Sequence, residues 1–378
     1  MVRNHGIVTG LQGKERIIMR LVPTKIIGNN RGIALLVTLT VITVLIAVAL
    51  EMNRKMRSAV FSAAATRDRI TLSHMASSGI DIAKAILVKD KNSSNYDSLQ
   101  EDWADSEKIS ELLRDIPFED GTITLAISDE IGKIQINSLV EFPEGHNFNE
   151  LQRIMWNRFL SLLIFQNESL EDFEPDTIIN SVKDWIDSGD DEAITGLNGA
   201  ESDYYQDFDP PYVCRNSPFT HIGEFALVRG ITPELFQLAG GVTGISRYMT
   251  VFGMTEKGST AFTYEGKINI NTADLPVLAA ILPSENEGLA QAIYDYRQET
   301  SDSGYIHNLS STTWYKNVPG LSDIGIDPDL ITTASDFFRI ESAAMLHEMK
   351  IKITAVVKRE KIKKTGKWTC RILRWETE

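Results

Sequence analysis

The chain has 378 residues, 38 basic and 52 acidic side chains and a net charge of −14. That length holds two or three domains, and a 43% hydrophobic share excludes both a multi-span membrane protein and a largely disordered chain. Two cysteines exclude a disulfide scaffold and a four-cysteine zinc site, and the acidic balance argues against nucleic acid as a partner.

The charge is unevenly spread. Six basic side chains against Glu15 give residues 1–32 a net +5, which leaves −19 on the rest. After Arg31 and Gly32 come eighteen uncharged residues, 33–50, IALLVTLTVITVLIAVAL. That is about the minimum for one membrane span, and basic residues ahead of it favour a cytoplasmic N-terminus. Thr38, Thr40 and Thr43 can return their hydroxyls to the preceding helical turn. A secretory signal fits poorly, because its apolar core is shorter and ends in a small-residue cleavage site. Here Glu51 and a basic stretch follow, and residues 52–88 hold no proline. The composition predicts one helix of about fifty residues, with Gly79 its weak point. Its predicted apolar face is Ala63, Ala64, Ile70, Leu72, Met75, Ile82 and Ile86.

Residues 121–139, GTITLAISDEIGKIQINSL, alternate with a period of two and read as a hairpin turning at residues 129–132. The period then becomes helical at residues 148–165 and 175–185, with Pro175 suited to a first helical turn. A third helix is read at residues 218–230. Thr232 and Pro233 follow as a cap and first helical position. Residues 140–245 thus read as an all-helical insertion. Strand character returns at residues 246–252 and 267–270, followed by helices at 274–282 and 288–296. Residues 337–341, 349–357 and 368–375 are the remaining strand candidates, with a solvated hairpin turn in the basic run 358–367.

Residues 184–209, DWIDSGDDEAITGLNGAESDYYQDFD, carry nine acids and no lysine or arginine. On composition alone this reads as a solvated acidic loop. Carboxylates this dense also suit a hard cation such as Ca2+, although no EF-hand frame is present. Zinc is disfavoured, since the stretch has no histidine or cysteine. The six histidines are scattered and no catalytic motif is found, so no enzymatic activity is implied.

A basic head, Gly32, the apolar segment and a helical continuation resemble the type IV pilin-like subunits. Val37 stands at the fifth position after Gly32, where most such subunits carry glutamate. A buried carboxylate there is tolerable only with a charged neighbour, so a subunit at a filament tip can lack it. This departure, the DEIGKIQIN run at 129–137, the NINTA run at 269–273 and the DW-x-D pattern at 184–187 resemble the minor pseudopilin K family of type II secretion.

The resemblance implies an α+β, pilin-like fold: a long N-terminal helix, transmembrane half first, on an antiparallel sheet, with an all-α domain inserted. The expected divisions are a leader at 1–32, the transmembrane half at 33–52, a periplasmic helix and first strands at 53–139, the insertion at 140–245, and strands with a small helix-hairpin-helix unit (about 272–320) at 246–378. Prepilin peptidase would cut between Gly32 and Ile33, with Met19 as a second possible start. The family match implies one or two Ca2+ ions on Asp187, Asp190, Asp191, Glu192 and Glu201, with Asp203 and Asp207. Cys214 and Cys370 would either bridge the insertion to the last strand or remain two buried thiols.

Implied partners are the I, J and H minor pseudopilins, the major pseudopilin, the inner-membrane assembly platform, and secreted proteins or the secretin. Nucleic acid is not among them. The expected place is the inner membrane of a Gram-negative cell, single-pass, with a periplasmic body. Alternatives are a minor pilin of a type IV pilus, or an anchored DNA-uptake protein. The segments at 218–239 and 272–296 resemble helix-hairpin-helix units, but Arg229 is the only basic residue by the first turn.

Overall fold

The computed structural model describes residues 30–114, 116, 121–165, 173–189, 194–236, 244–258, 261–302 and 304–378. Helix α1 (Asn30–Ser93) is continuous, as its proline-free sequence predicts. The chain falls into two units, Met1–Ala65 and Thr66–Glu378. In the first, the helix is long and apolar enough to cross a membrane. Its side chains from Ile33 to Leu50 are exposed, Val37 by 54%. Thr38, Thr40 and Thr43 donate their hydroxyls to the carbonyls of Leu35, Val37 and Thr40 at 2.8–2.9 Å, which removes three polar groups from the surface.

In the second unit, the rest of α1 packs on a four-stranded antiparallel sheet. The strands are β1 (Gly121–Asp129), β10 (Phe337–Leu346), β11 (Met349–Lys361) and β12 (Trp368–Thr377), in that order. Leu72, Ala76, Ile80, Ala83 and Leu87 lie fully buried at spacings of three and four. They meet Ile123, Leu125 and Ile127 of β1, and Phe338, Ile340 and Ala344 of β10. Each large aliphatic side chain so buried stabilises by about 1.5–3 kcal/mol. Of the predicted helix face, Leu72 and Met75 are buried, Ile82 and Ile86 half-buried, and Ile70 is exposed. α2 (Ser106–Arg114) adds Ile109 and Leu113 to the same core.

The sheet corrects two expectations. Residues 121–139 are not a hairpin. β1 pairs with β10, more than 200 positions on, and β2 (Ile134–Gln135) turns away to pair in parallel with β3 (Met249–Thr250). Ile134 and Ile136 are drawn into a different core. Gly79, read as a weak point, is where α1 crosses β10 most closely. A Cβ there would sit 2.1 Å from Ser342 Oγ and 3.3 Å from Ile123 Cγ2.

The second core extends from Ile134 to Ile331. It gathers α3 (Glu150–Phe165), α4 (Pro175–Ile186), α5 (Ser202–Gln206), α6 (Pro233–Phe236), α7 (Leu275–Ile281) and α8 (Ala290–Tyr296). The predicted helix at 218–230 is a shorter 3₁₀ turn, Ile222–Leu227. The predicted strand at 246–252 is mostly a 3₁₀ turn with only β3 extended. Small pairs complete the unit: β4 (Met254–Lys257) with β5 (Ala261–Tyr264), β6 (Ile268–Asn269) with β9 (Ile331–Thr332), and β7 (Thr300–Ser301) with β8 (Gly304–Tyr305). The helices at 275–296 share this core with those of 140–245, so residue 245 is not a break in packing.

Cys214 and Cys370 are not bridged. Cys214 belongs to the helical core, where its thiol faces the Ala200 carbonyl at 3.4 Å. Cys370 belongs to the helix–sheet core, facing the Lys84 carbonyl at 3.8 Å. Burial pushes the Cys370 thiol up to about 11, which keeps it protonated at neutral pH.

A buried polar network joins the two cores. Asp129, at the end of β1, accepts from the Ile131 amide (2.7 Å), Asn269 Nδ2 (2.8 Å) and Thr272 Oγ1 (2.7 Å). Glu130, fully buried, meets Lys133 at 2.8 Å, Arg339 at 2.7 Å and Thr250 Oγ1 at 2.5 Å. Trp314 donates to Asn271 Oδ1 at 2.7 Å, and Asn137 exchanges two bonds with the Phe219 backbone. Arg359 of β11 is buried against Asp97 (2.5 Å) and Asp90 (3.0 Å), over the Phe338 ring. Removing one member of such a buried pair costs about 3–5 kcal/mol.

The close crossing can be tested by substitution. Gly79→Ala should lower the melting temperature by a few degrees, since overpacking (about 1–3 kcal/mol) exceeds the roughly 1 kcal/mol helix-propensity gain. Adding Ser342→Ala, which removes the clashing oxygen, should restore it; a rise in the single variant would refute the close crossing. The polar network carries a pH dependence. Burial holds the Asp129 carboxyl up at about 6, above its ordinary 3.8. The folded state therefore keeps that proton longer than the unfolded state. This contribution is full below about pH 4 and is lost as pH rises through 6, by about 3 kcal/mol. The stability advantage of the parent over Asp129→Asn should shrink between pH 4 and 7 in urea titrations. A pH-independent gap would contradict it.

Candidate metal centre

α4 opens with Pro175 at its first position, where the missing amide hydrogen costs nothing, and ends at Asp187. Asp184 and Asp187 stand three residues apart, so the helix places both on one face. Asp184 is fully buried, and both its carboxylate oxygens lie 3.1 Å from the Thr195 amide. The loop carrying Thr195 turns back at Gly196, whose φ of +62° suits glycine. Gly199 then passes so close that a Cβ would lie 2.1 Å from Asp184 Oδ2. Glu201, also buried, ends the loop as the cap of α5.

Asp184, Asp187 and Glu201 each offer an oxygen, and the three lie within 4.8 Å of one another. Two ligands on opposite sides of a Ca2+ ion, at 2.3–2.6 Å each, are about 5 Å apart, so one ion can touch all three. Three hard oxygens without nitrogen or sulfur suit Ca2+ rather than zinc. One cation is close: Lys183 Nζ lies 2.7 Å from Asp187 Oδ2 and 3.0 Å from Thr195 Oγ1. The platform beneath is aromatic, with Trp185 edge-on to Tyr205 at 5.2 Å and stacked on Phe219 at 6.2 Å.

Of the seven residues expected to bind metal, Asp187 and Glu201 are brought together here. Asp190, Asp191 and Glu192 lie outside the described residues. Asp203 and Asp207 are exposed on α5 and at its end, and are not members of the group. Asp184 was missed as a ligand, although its spacing from Asp187 was the available signal.

The other described carboxylate cluster, Asp90, Asp97 and Glu101, differs. Arg359 already fills it, with Lys91 at 3.9 Å from Asp97. Burial, with Glu101 and Asp97 nearby, raises Asp90 to about 7 against the pull of Arg359. Gly32 and Ile33, expected as a processing site, stand near the start of α1, with Ile33 exposed and nothing within reach of a Cβ at Gly32.

Comparison with known proteins agrees with this architecture. Residues 132–241 match the family model for type II secretion system protein K. The chain is 25% identical over 207 residues to the type II secretion system protein K of Aeromonas hydrophila, covering 54% of this chain and 60% of that protein. It is 24% identical over 210 residues to the Klebsiella pneumoniae protein, again spanning 60% of its length. With the Pseudomonas aeruginosa protein it is 25% identical over 276 residues, covering 71% and 73% of the two chains. A crystal structure of the GspK-GspI-GspJ complex from enterotoxigenic Escherichia coli contains a chain with the same fold, at a TM-score of 0.59 and 18% identity. The match covers 84% of this chain and 99% of that one. The helix on its four-stranded sheet, the large insertion and these matches place the chain in the type II secretion protein K family.

Proposed function

We propose that the chain is a minor pseudopilin at the tip of the type II secretion pseudopilus, where it primes assembly and supports export across the outer membrane. The observation that carries this reading is the insertion. About 200 residues are built between two neighbouring strands of a pilin-like sheet, a bulk compatible with capping a filament and hard to repeat along one. Val37 supports it: a subunit with no neighbour above needs no carboxylate at the fifth position. The I and J minor pseudopilins are the first partners, by analogy with the related GspK-GspI-GspJ complex. The H type, the major pseudopilin, the assembly platform, and exported proteins or the secretin follow as further partners. The chain acts as a structural part, and prepilin peptidase acts on it. In this reading the apolar segment 33–50 anchors the chain in the inner membrane, its body in the periplasm.

Processing is tested by mass spectrometry of the chain from cells with and without active prepilin peptidase. The expected mature N-terminus is Ile33, N-methylated. An unprocessed start at Met1 or Met19 in peptidase-positive cells would overturn the assignment.

Asp184, Asp187 and Glu201 would hold one Ca2+, with Asp190, Asp191 and Glu192 as further oxygen donors and a second ion on the same loop. Calcium would neutralise the carboxylates and fix the loop against α4. Adding Ca2+ to the detergent-solubilised chain should raise its melting temperature by several degrees, and a chelator should reverse this. Asp184→Asn should abolish the response. No calcium-dependent shift in the parent chain would exclude the site.

A further inference from the structure

The hairpin joining β11 to β12 is an exception on this acidic protein. Residues 361–367, KIKKTGK, carry Lys361, Lys363, Lys364 and Lys367 and no acid. All seven are exposed. The turn is built rather than loose: the Gly366 amide bonds to the Ile362 carbonyl at 2.8 Å, and the Ile362 amide to the Lys367 carbonyl at 2.9 Å. Gly366 has φ +67°, which supplies the left-handed position the turn needs. The base is stiffened by Trp368, whose ring lies under Lys361 (5.0 Å) and Lys91 (5.7 Å).

Elsewhere in this unit, many basic side chains lie beside carboxylates: Lys133 and Arg339 on Glu130, Lys183 on Asp187, Arg359 on Asp97, Arg371 on Glu360. Among the described residues, no carboxylate lies within 4.0 Å of the ammonium of Lys361, Lys363, Lys364 or Lys367. Four like charges on a short turn repel one another, and the turn needs only Thr365 and Gly366. Residues 33–378, at −19, repel an acidic neighbour over most of their surface. The hairpin tip is a surface that attracts one.

We infer that this tip docks on a carboxylate-rich surface of a neighbouring subunit, an inference that rests on the proposed place of the chain in a pseudopilus. Complementary charge of this kind sets orientation and encounter rate, and its strength falls with salt.

The test uses the full-length chain in detergent, co-produced with the I and J minor pseudopilins. Replacing the three tip lysines (K363E, K364E and K367E together) should weaken capture of these subunits at least about tenfold at low salt and flatten the salt dependence. The Lys→Gln triple variant should fall between, with both melting temperatures at or above the parent's. Equal capture by parent and charge-reversed chains, at every salt concentration, overturns the inference and leaves the proposed function standing. Unchanged capture with loss of binding to phosphatidylglycerol vesicles assigns the tip to a lipid surface and also overturns it. A parent chain that captures neither subunit at any salt overturns both readings.

Discussion

The fold depends on closing one gap. β1 ends at Asp129, and the strand beside it, β10, begins at Phe337. Everything between is a loop as far as the sheet is concerned, and closing a loop that long costs several kcal/mol of chain entropy. The cost is met at the base of the insertion, where the chain leaves and returns. Asp129 and Glu130 sit at the exit, and Ser335, Phe337 and Arg339 at the return. Glu130 joins them directly, since its amide bonds to the Phe337 carbonyl and its carboxylate to Arg339. Burial opposes its charge, but Lys133 and Arg339 outweigh burial and hold the group down at about 2. Asn269 and Asn271 tie the middle of the insertion to the same place.

This explains the two motifs that carried the family resemblance. DEIGKIQIN and NINTA are the two sides of one buried seam. Asp129 accepts from Asn269 and Thr272, while Gln135 and Asn137 reach the Val251 and Phe219 carbonyls. Short side chains with fixed amide geometry are needed because each bond spans elements far apart in sequence. Family members can then differ at the surface while keeping the seam.

The two carboxylate clusters show how composition misleads without geometry. Asp90, Asp97 and Glu101 are spread over the end of α1 and the following loop, and they surround Arg359, so their charge is consumed within the fold. Asp184, Asp187 and Glu201 converge through a helix face and two glycines, with Lys183 as the near cation. Both groups are buried acids. Only the second resembles a calcium cradle, and only its surroundings say so. The acids at 203 and 207, equally prominent in sequence, stay on the surface because α5 is a single short turn that points them outward.

The sequence by itself determined what depends on near neighbours. Absence of proline and a long apolar run determine α1. Alternation determines the faces of β10, β11 and β12, and threonines one turn apart find their own carbonyls. Tertiary structure decided what depends on distant partners. It paired β1 with β10 rather than with residues 134–136, because a strand's alternation states which face is buried and not which strand lies beside it. It turned Gly79 from a weak point into a crossing, placed Cys214 and Cys370 in separate cores, and chose Asp184 over Asp203. In each case the deciding contact lies many residues away along the chain, where no periodicity reaches.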